Sequence, residues 1–394
     1  MAPDLRTPGV YREEAFVREP EELPSGVPAF VGLGRARDGS GMESDQPQEL
    51  FHLDQLAQRW IPRSGGPSWL VAAVEGFFTN QGKRCFVVPA GDPDGALLPD
   101  KDGGAARLVS AVEDKLGALA DVDLVSVPDA MALPAADAQR VQRAALKHCA
   151  GAGDRFAILD GPRVAQDGDA AATLTAWRDE VLKGGEGDPS YAALYFPWIW
   201  TAGAAAPVPP GGHVAGIYSR SDAQQGTHKA PANELVAGAV DLDYLVDVPT
   251  HGNLNSAGVN CLRALPGRGL RVFGARTISR DLEWRYLNVR RVFIRLSRWI
   301  DRNMSWAPFE PNDVRLWNRI SRELNAYLVG QWRAGALKGD TAAEAFQVKC
   351  DAETNPQEGR EQGQVVTQIS LAPAAPAEFI VVRITQRAGS TQLS

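Results

Sequence analysis

A glycine-framed stretch, a Gly-Arg-Gly turn, five histidines and four cysteines hold the residue types that chemistry needs. Gly76-Phe77-Phe78-Thr79-Asn80-Gln81-Gly82-Lys83-Arg84 approaches the loop that cradles phosphates with backbone N–H groups, but its spacing is one residue too long. Arg84 also stands where a Mg²⁺-ligating Ser or Thr is needed. Gly267-Arg268-Gly269 opens like a dinucleotide fingerprint, yet Val272 takes the place of the third glycine, and the run precedes a strand-like segment instead of following one. His52, His148, His213, His228 and His251 show no HExxH or comparable ligand spacing; only His213 and His228 share one polar region. Cys85, Cys149, Cys261 and Cys350 stand far apart without a CxxC pair, and read as small buried thiols kept reduced in a cytoplasm. No GxSxG elbow is present, and no carboxylate pair stands out. The sequence predicts no catalytic residue, no metal and no cofactor.

The clearest chemical signal is cationic. On a helix predicted over 289–303, Arg291, Arg295, Arg298 and Arg302 follow the i, i+4, i+7, i+11 track, opposite Val292, Leu296 and Trp299 with Phe293 and Ile300. A second predicted helix has Asn312 as its cap and Asp313 in its first turn. It carries Arg315, Arg319 and Arg322 beside an apolar stripe of Leu316, Ile320, Leu324 and Leu328. Such faces can meet phosphates, an acidic protein surface, or only water and local carboxylates. The net charge of -7 gives no global pull toward nucleic acid, and no aromatic-interleaved motif accompanies the arginines.

The elements that must position these residues are mixed. A chain of 394 residues suffices for two or three domains. No run of about 20 apolar residues predicts a membrane span, and the opening residues lack the regions of a signal peptide. Strand-like segments at 27–33, 85–88, 122–127 and 156–159 alternate with helical spacing at 108–119 and 137–149, which predicts an α/β sheet covered by helices. The aromatic segment 191–200 reads as a core strand and 202–212 as a loop. Strands at 271–278, 306–309, 346–348, 365–371 and 378–386, around the two Arg-rich helices, predict a separate α+β domain. Residues 1–25 are rich in Pro and Glu and hold one extended patch, and no repeat of fixed period is present.

In order and spacing these residues resemble the tail sheath proteins of contractile phages, pyocins and related injection systems. Thr7-Pro8-Gly9-Val10-Tyr11 and Val27-Pro28-Ala29-Phe30-Val31-Gly32 look like that family's opening. Tyr195-Phe196-Pro197-Trp198, Val208-Pro209-Pro210-Gly211-Gly212-His213 and Lys229-Ala230-Pro231-Ala232-Asn233 look like its middle. Val272-Phe273-Gly274-Ala275-Arg276-Thr277, Phe309-Glu310-Pro311-Asn312, Gly335-Ala336-Leu337 and Pro376-Ala377-Glu378-Phe379-Ile380 are similar to its later landmarks, with Phe273 and Ile278 in place of the more usual Trp and Leu.

The resemblance implies a structural protein, not an enzyme, that polymerises as rings or a helix around an inner tube and contracts to drive that tube through a target envelope. Implied partners are further copies of the chain, the tube protein, and baseplate and cap proteins, with no direct nucleic-acid contact and no membrane insertion. Assembly in a bacterial cytoplasm is implied. The expected architecture is mixed α/β: an N-terminal arm at 1–25, an outer α/β domain at 26–260, an inner α+β domain at 261–386 and a C-terminal arm at 387–394. Strand exchange between copies is assigned to Pro8, Gly9, Val10 and Tyr11 and to Phe379, Ile380, Val381, Val382 and Ile384. The two arginine tracks are the expected tube or subunit contacts. An α/β enzyme with an unrecognised site and a nucleic-acid-binding module are the alternatives.

Overall fold

The apolar run near the start of the chain forms β1 (Pro28–Gly32), buried along its whole length. Its side chains alternate between two cores: Ala29 and Val31 face one, Phe30 the other. A strand buried on both faces must lie inside a helix-covered sheet. That sheet has nine strands, from a computed structural model that describes residues 23–63, 67–91 and 103–378. In chain order they are β1, β2 (Gln48–Leu50), β3 (Cys85–Pro89), β4 (Leu124–Ser126), β5 (Phe156–Asp160), β6 (Ala192–Phe196), β7 (Glu234–Leu235), β8 (Val259–Leu265) and β9 (Gly269–Phe273). Their spatial order is β7-β9-β8-β6-β5-β4-β1-β3-β2. The central run from β8 to β3 is parallel, and β2, β9 and β7 pair antiparallel at the edges.

Helices cover both faces. Leu108 and Val112 of α2 (Gly104–Lys115), Val141 and Leu146 of α3 (Ala135–Ala152), Leu174 and Trp177 of α4 (Ala170–Val181) and Leu254 of α6 (Val248–Ser256) fill one core. Leu70, Val74 and Phe77 of α1 (Trp69–Thr79) and Val214, Ile217 and Tyr218 of α5 (Gly211–Gln225) fill the other. Two helices follow the sheet: α7 (Leu287–Asn303) and α8 (Val314–Arg333). The antiparallel ribbon of β10 (Phe346–Lys349) and β11 (Gln368–Leu371) completes a third core with Leu316, Ile320, Leu324 and Leu328.

Several expectations shift. The boundary at 260/261 falls inside β8, so the sheet continues to Phe273. Helix α7 joins the two units, because its Leu287 and Ile294 belong to the sheet's core and its Val292 and Leu296 to the third. Segment 306–309 is a turn, not a strand. Asp313, not Asn312, caps α8, accepting from the Arg315 and Leu316 N–H groups at 2.8 and 3.2 Å. Asn312 instead accepts from the Trp317 indole at 2.9 Å. Pro197, which has no N–H, divides 191–200 into β6 and a short strand, Ile199–Thr201.

The sequence reading also missed that the glycine-rich 211–216 segment is helical. Its glycines serve contact, not turning: a Cβ at Gly212 would lie 2.2 Å from the Ala73 Cα, and one at Gly216 would lie 2.5 Å from the Phe77 carbonyl oxygen. Helices α1 and α5 therefore pack backbone against backbone. Gly212→Ala is expected to cost about 1–3 kcal/mol or more through overpacking, read as a lowered midpoint in urea. An unchanged midpoint would contradict this packing account.

Candidate functional site

The six strands that run parallel begin at one edge of the sheet, and α7 lies across that edge. Two arginines of its predicted outer track, Arg291 and Arg298, point into the protein, as does Arg290. Arg291 is 2 % exposed and donates to Asp222 Oδ1 at 2.8 Å and also to Oδ2. A second contact of 3.4 Å reaches Asp123 Oδ2. Asp123 in turn accepts from the Gly26 and Val27 N–H groups at 3.0 and 2.7 Å, at the entry to β1. Arg291 also stacks over the Tyr218 ring, whose hydroxyl meets that of Tyr195 at 2.8 Å. Burial opposes the Arg291 charge, and the Asp222 carboxylate overrides that, holding its pKa above the ordinary value. For Asp222 burial is the stronger influence and raises its pKa, with Arg291 opposing.

Two more arginines extend the clamp. Arg298 donates to the carbonyls of Val122 at 2.8 Å and Asp121 at 3.1 Å, just before β4. Arg290, which the spacing argument did not single out, donates to Ser190 Oγ at 2.7 Å and Asp188 Oδ2 at 2.9 Å, just before β6. Its guanidinium sits between Trp284 and Tyr191, 3.5 and 4.3 Å from the ring centroids. Arg295 is half-buried beside Tyr327, and Arg302 is exposed. The expectation of a tube- or subunit-facing track thus fails for Arg291 and Arg298, because both are consumed inside the chain. The missing signal was partner placement: Asp123, Asp188 and Asp222 come near α7 only through the fold.

On α8 the other track is where the pattern put it. Arg315, Arg319 and Arg322 are all exposed. Arg319 pairs with Glu323 at 3.1 Å and lies over the Trp306 ring at 3.4 Å. The predicted strand-exchange residues Pro8, Gly9, Val10 and Tyr11, and Phe379, Ile380, Val381, Val382 and Ile384, lie outside the described residues.

The opposite edge of a sheet of this kind is where ligands commonly enter, at the point where strand order reverses. Here that point lies between β1 and β4 and is filled. Asp129 reaches into it and accepts from the Leu33 and Leu70 N–H groups at 2.8 and 3.0 Å. Asp160, at the end of β5, accepts from the Gly211 N–H at 2.7 Å at the start of α5. Burial pushes Asp129 up to about 6 and Asp160 up to about 7. These are the perturbed carboxylates an enzyme reading would seek, but both are bound to backbone at helix starts. His213 is buried against Gly76, pushed down to about 4 by burial. Among the described residues no group of His, Cys, Asp and Glu could hold a metal ion, and no helix is long and apolar enough to cross a membrane. The phosphate-loop lookalike is the end of α1 and its turn into β3, a helix-to-strand order opposite to that of a phosphate loop. Gly267 and Gly269 sit at φ 70° and 74° in and beside the β8–β9 hairpin turn.

Arg291→Met should cost about 3–5 kcal/mol, because it leaves Asp222 buried and unpaired. Adding Asp222→Leu should recover more than half of that in a double-mutant cycle by urea denaturation. A single-variant cost below about 1 kcal/mol would show that the pair is not buried as described.

Comparison with known proteins follows this geometry. The family description "Phage tail sheath protein central domain" matches residues 112–278, and "Phage tail sheath C-terminal domain" matches 279–387. A Pseudomonas aeruginosa protein described as a prophage major tail sheath protein is 25% identical over 280 residues, covering 68% of this chain and 69% of its own length. The tail sheath protein of Vibrio phage KVP40 is 25% identical over 179 residues, 44% of this chain but 26% of that longer protein. A chain in the baseplate structure of the anti-feeding prophage superposes with a TM-score of 0.74 at 27% identity, covering 97% of this chain and 99% of that one. A chain of the PVC extracellular contractile injection system sheath, in its contracted state, gives 0.74 at 26% identity with the same coverage. By sequence from residue 112 to 387 and by fold over nearly its whole length, the chain belongs to the phage tail sheath protein family.

Proposed function

We propose that this sheath subunit polymerises around an inner tube and contracts to drive that tube through a target envelope, as part of a phage tail or tail-like particle assembled in a bacterial cytoplasm. Baseplate and cap proteins would bind the two ends of the polymer. The observation that carries the reading is the β10–β11 ribbon. Among the described residues each of its strands has a strand neighbour on one side only. A ribbon with such edges is the kind that strands from other copies extend. Segments 8–11 and 379–384 are proposed to supply and receive those strands. Each added hydrogen bond nets about 0.5–1.5 kcal/mol, so four or five hold a junction by a few kcal/mol.

The buried clamp supports the same reading. A contracting lattice needs subunits that move as bodies and joints that bend between them. The three buried arginines fasten the C-terminal unit to the sheet, so that the two move as one body. The subunit performs no catalysis in this account, and the work of contraction is energy stored at assembly behind a kinetic barrier. The similarity to a sheath chain solved in a contracted injection system agrees with that cycle.

Electron microscopy of the purified chain is expected to show tubular polymers; lone globules, even beside the cognate tube protein, would remove the reading. The exposed Arg315, Arg319 and Arg322 are proposed to face the tube. Reversing all three to Glu should leave sheath formation intact but yield sheaths empty of tube. Unchanged tube loading would remove that assignment.

A further inference from the structure

Phe309 is fully exposed and holds a backbone φ of 72°, a conformation that a bulky residue rarely adopts. The turn around it is tied down on both sides. The Trp306 indole donates to Glu323 at 3.0 Å, Arg319 covers that indole, and Asn312 donates to the Gln364 carbonyl at 2.8 Å. The ring therefore has no route back to the third core and stands out as a fixed apolar knob. Ordering it for a partner costs little, because the turn is already ordered.

An apolar hollow lies beyond the other end of α7. It has a volume of about 360 Å³ and is lined by Phe273, Ala275, Pro376 and Ala377 together with the polar Lys229, Asn233 and Glu378, whose carboxylate is already paired with Arg276. Asn288, in the first turn of α7, fastens both walls by donating to the His228 and Ala374 carbonyls at 2.8 and 2.9 Å. Arg268 and Arg271 bond to Asn233, so the rim is cationic on that side. Glu310 follows the knob. An apolar cavity of about 150 Å³ accepts a benzene ring, so this hollow has room for a phenylalanine side chain and its flanking backbone.

We propose that Phe309 of one copy seats in this hollow of the next copy, with Glu310 facing the cationic rim. Seventeen residues of α7 hold knob and hollow about 25 Å apart, so Phe309 does not reach the hollow of its own copy. Two different patches on one molecule that fit each other make a head-to-tail contact, which generates rings or open helices. This contact adds a side-chain lock to the main-chain junctions of the polymeric reading, on which it rests.

The test co-expresses a Phe309→Cys chain and an Ala377→Cys chain carrying different tags, with a short bismaleimide added to the assembled particles. Cys85, Cys149, Cys261 and Cys350 are all buried, so the new thiols report alone. A mixed-tag dimer is expected at least tenfold above that from Phe309→Cys co-expressed with Lys183→Cys, an exposed position on the sheet domain. Normal polymers without excess mixed-tag dimer would overturn the contact and leave the sheath reading standing. No polymers from the unsubstituted chain would remove the sheath reading and this contact with it.

Discussion

A charge taken out of water must be met by opposite charge or by dipoles, and in this chain that requirement binds the two halves together. Arg290, Arg291 and Arg298 leave one helix and end at the entries of β1, β4 and β6. The entry to β1 is met indirectly, through an Asp123 carboxylate that also holds the Gly26 and Val27 N–H groups. Displacing α7 would strand Arg291, Asp222 and Asp123 together. Such a pair adds little net stability over a well-packed apolar substitute, but breaking it is costly. Its effect is to fix one arrangement of sheet, α7 and C-terminal ribbon.

The opposite edge of the sheet is closed by the same means with the charges reversed. Asp129 and Asp160 accept from backbone N–H groups near the starts of α1 and α5. At the switch point of this doubly wound sheet the carboxylates are thereby taken up by its own helix starts. The glycine stripe of α5 lets α1 approach until backbones touch. The surfaces proposed for assembly lie away from these contacts: the β10–β11 ribbon, the exposed arginines of α8, the turn at Phe309 and the hollow beside Phe273.

Much of this was legible in the sequence, and the failures share a cause. The strands near 27–33, 85–88 and 156–159 and the stripe of Leu316, Ile320, Leu324 and Leu328 were readable because apolar period reports burial directly. Helix α5 was missed because it is buried nearly all round and carries three Gly and two Ser among its fifteen residues, so it shows little amphipathic contrast. The Arg291 track was read as an outer face because period separates polar from apolar but not water from a buried carboxylate. Asp123 and Asp222 stand 168 and 69 residues from Arg291, and no local rule joins residues so distant. The cap of α8 was misplaced by one residue because Asn312 and Asp313 are both good caps, and Trp317 decides between them by taking the Asn312 oxygen.

The central claim is that the subunit is one body cross-tied by α7, so that contraction moves subunits without remaking them. Cryo-electron microscopy of one sheath before and after contraction tests it most directly. The account predicts that residues 23–378 superpose within about 1 Å, with Arg291 on Asp222 and Arg298 on the Val122 carbonyl in both states. An α7 that changes partners between the two states would contradict it.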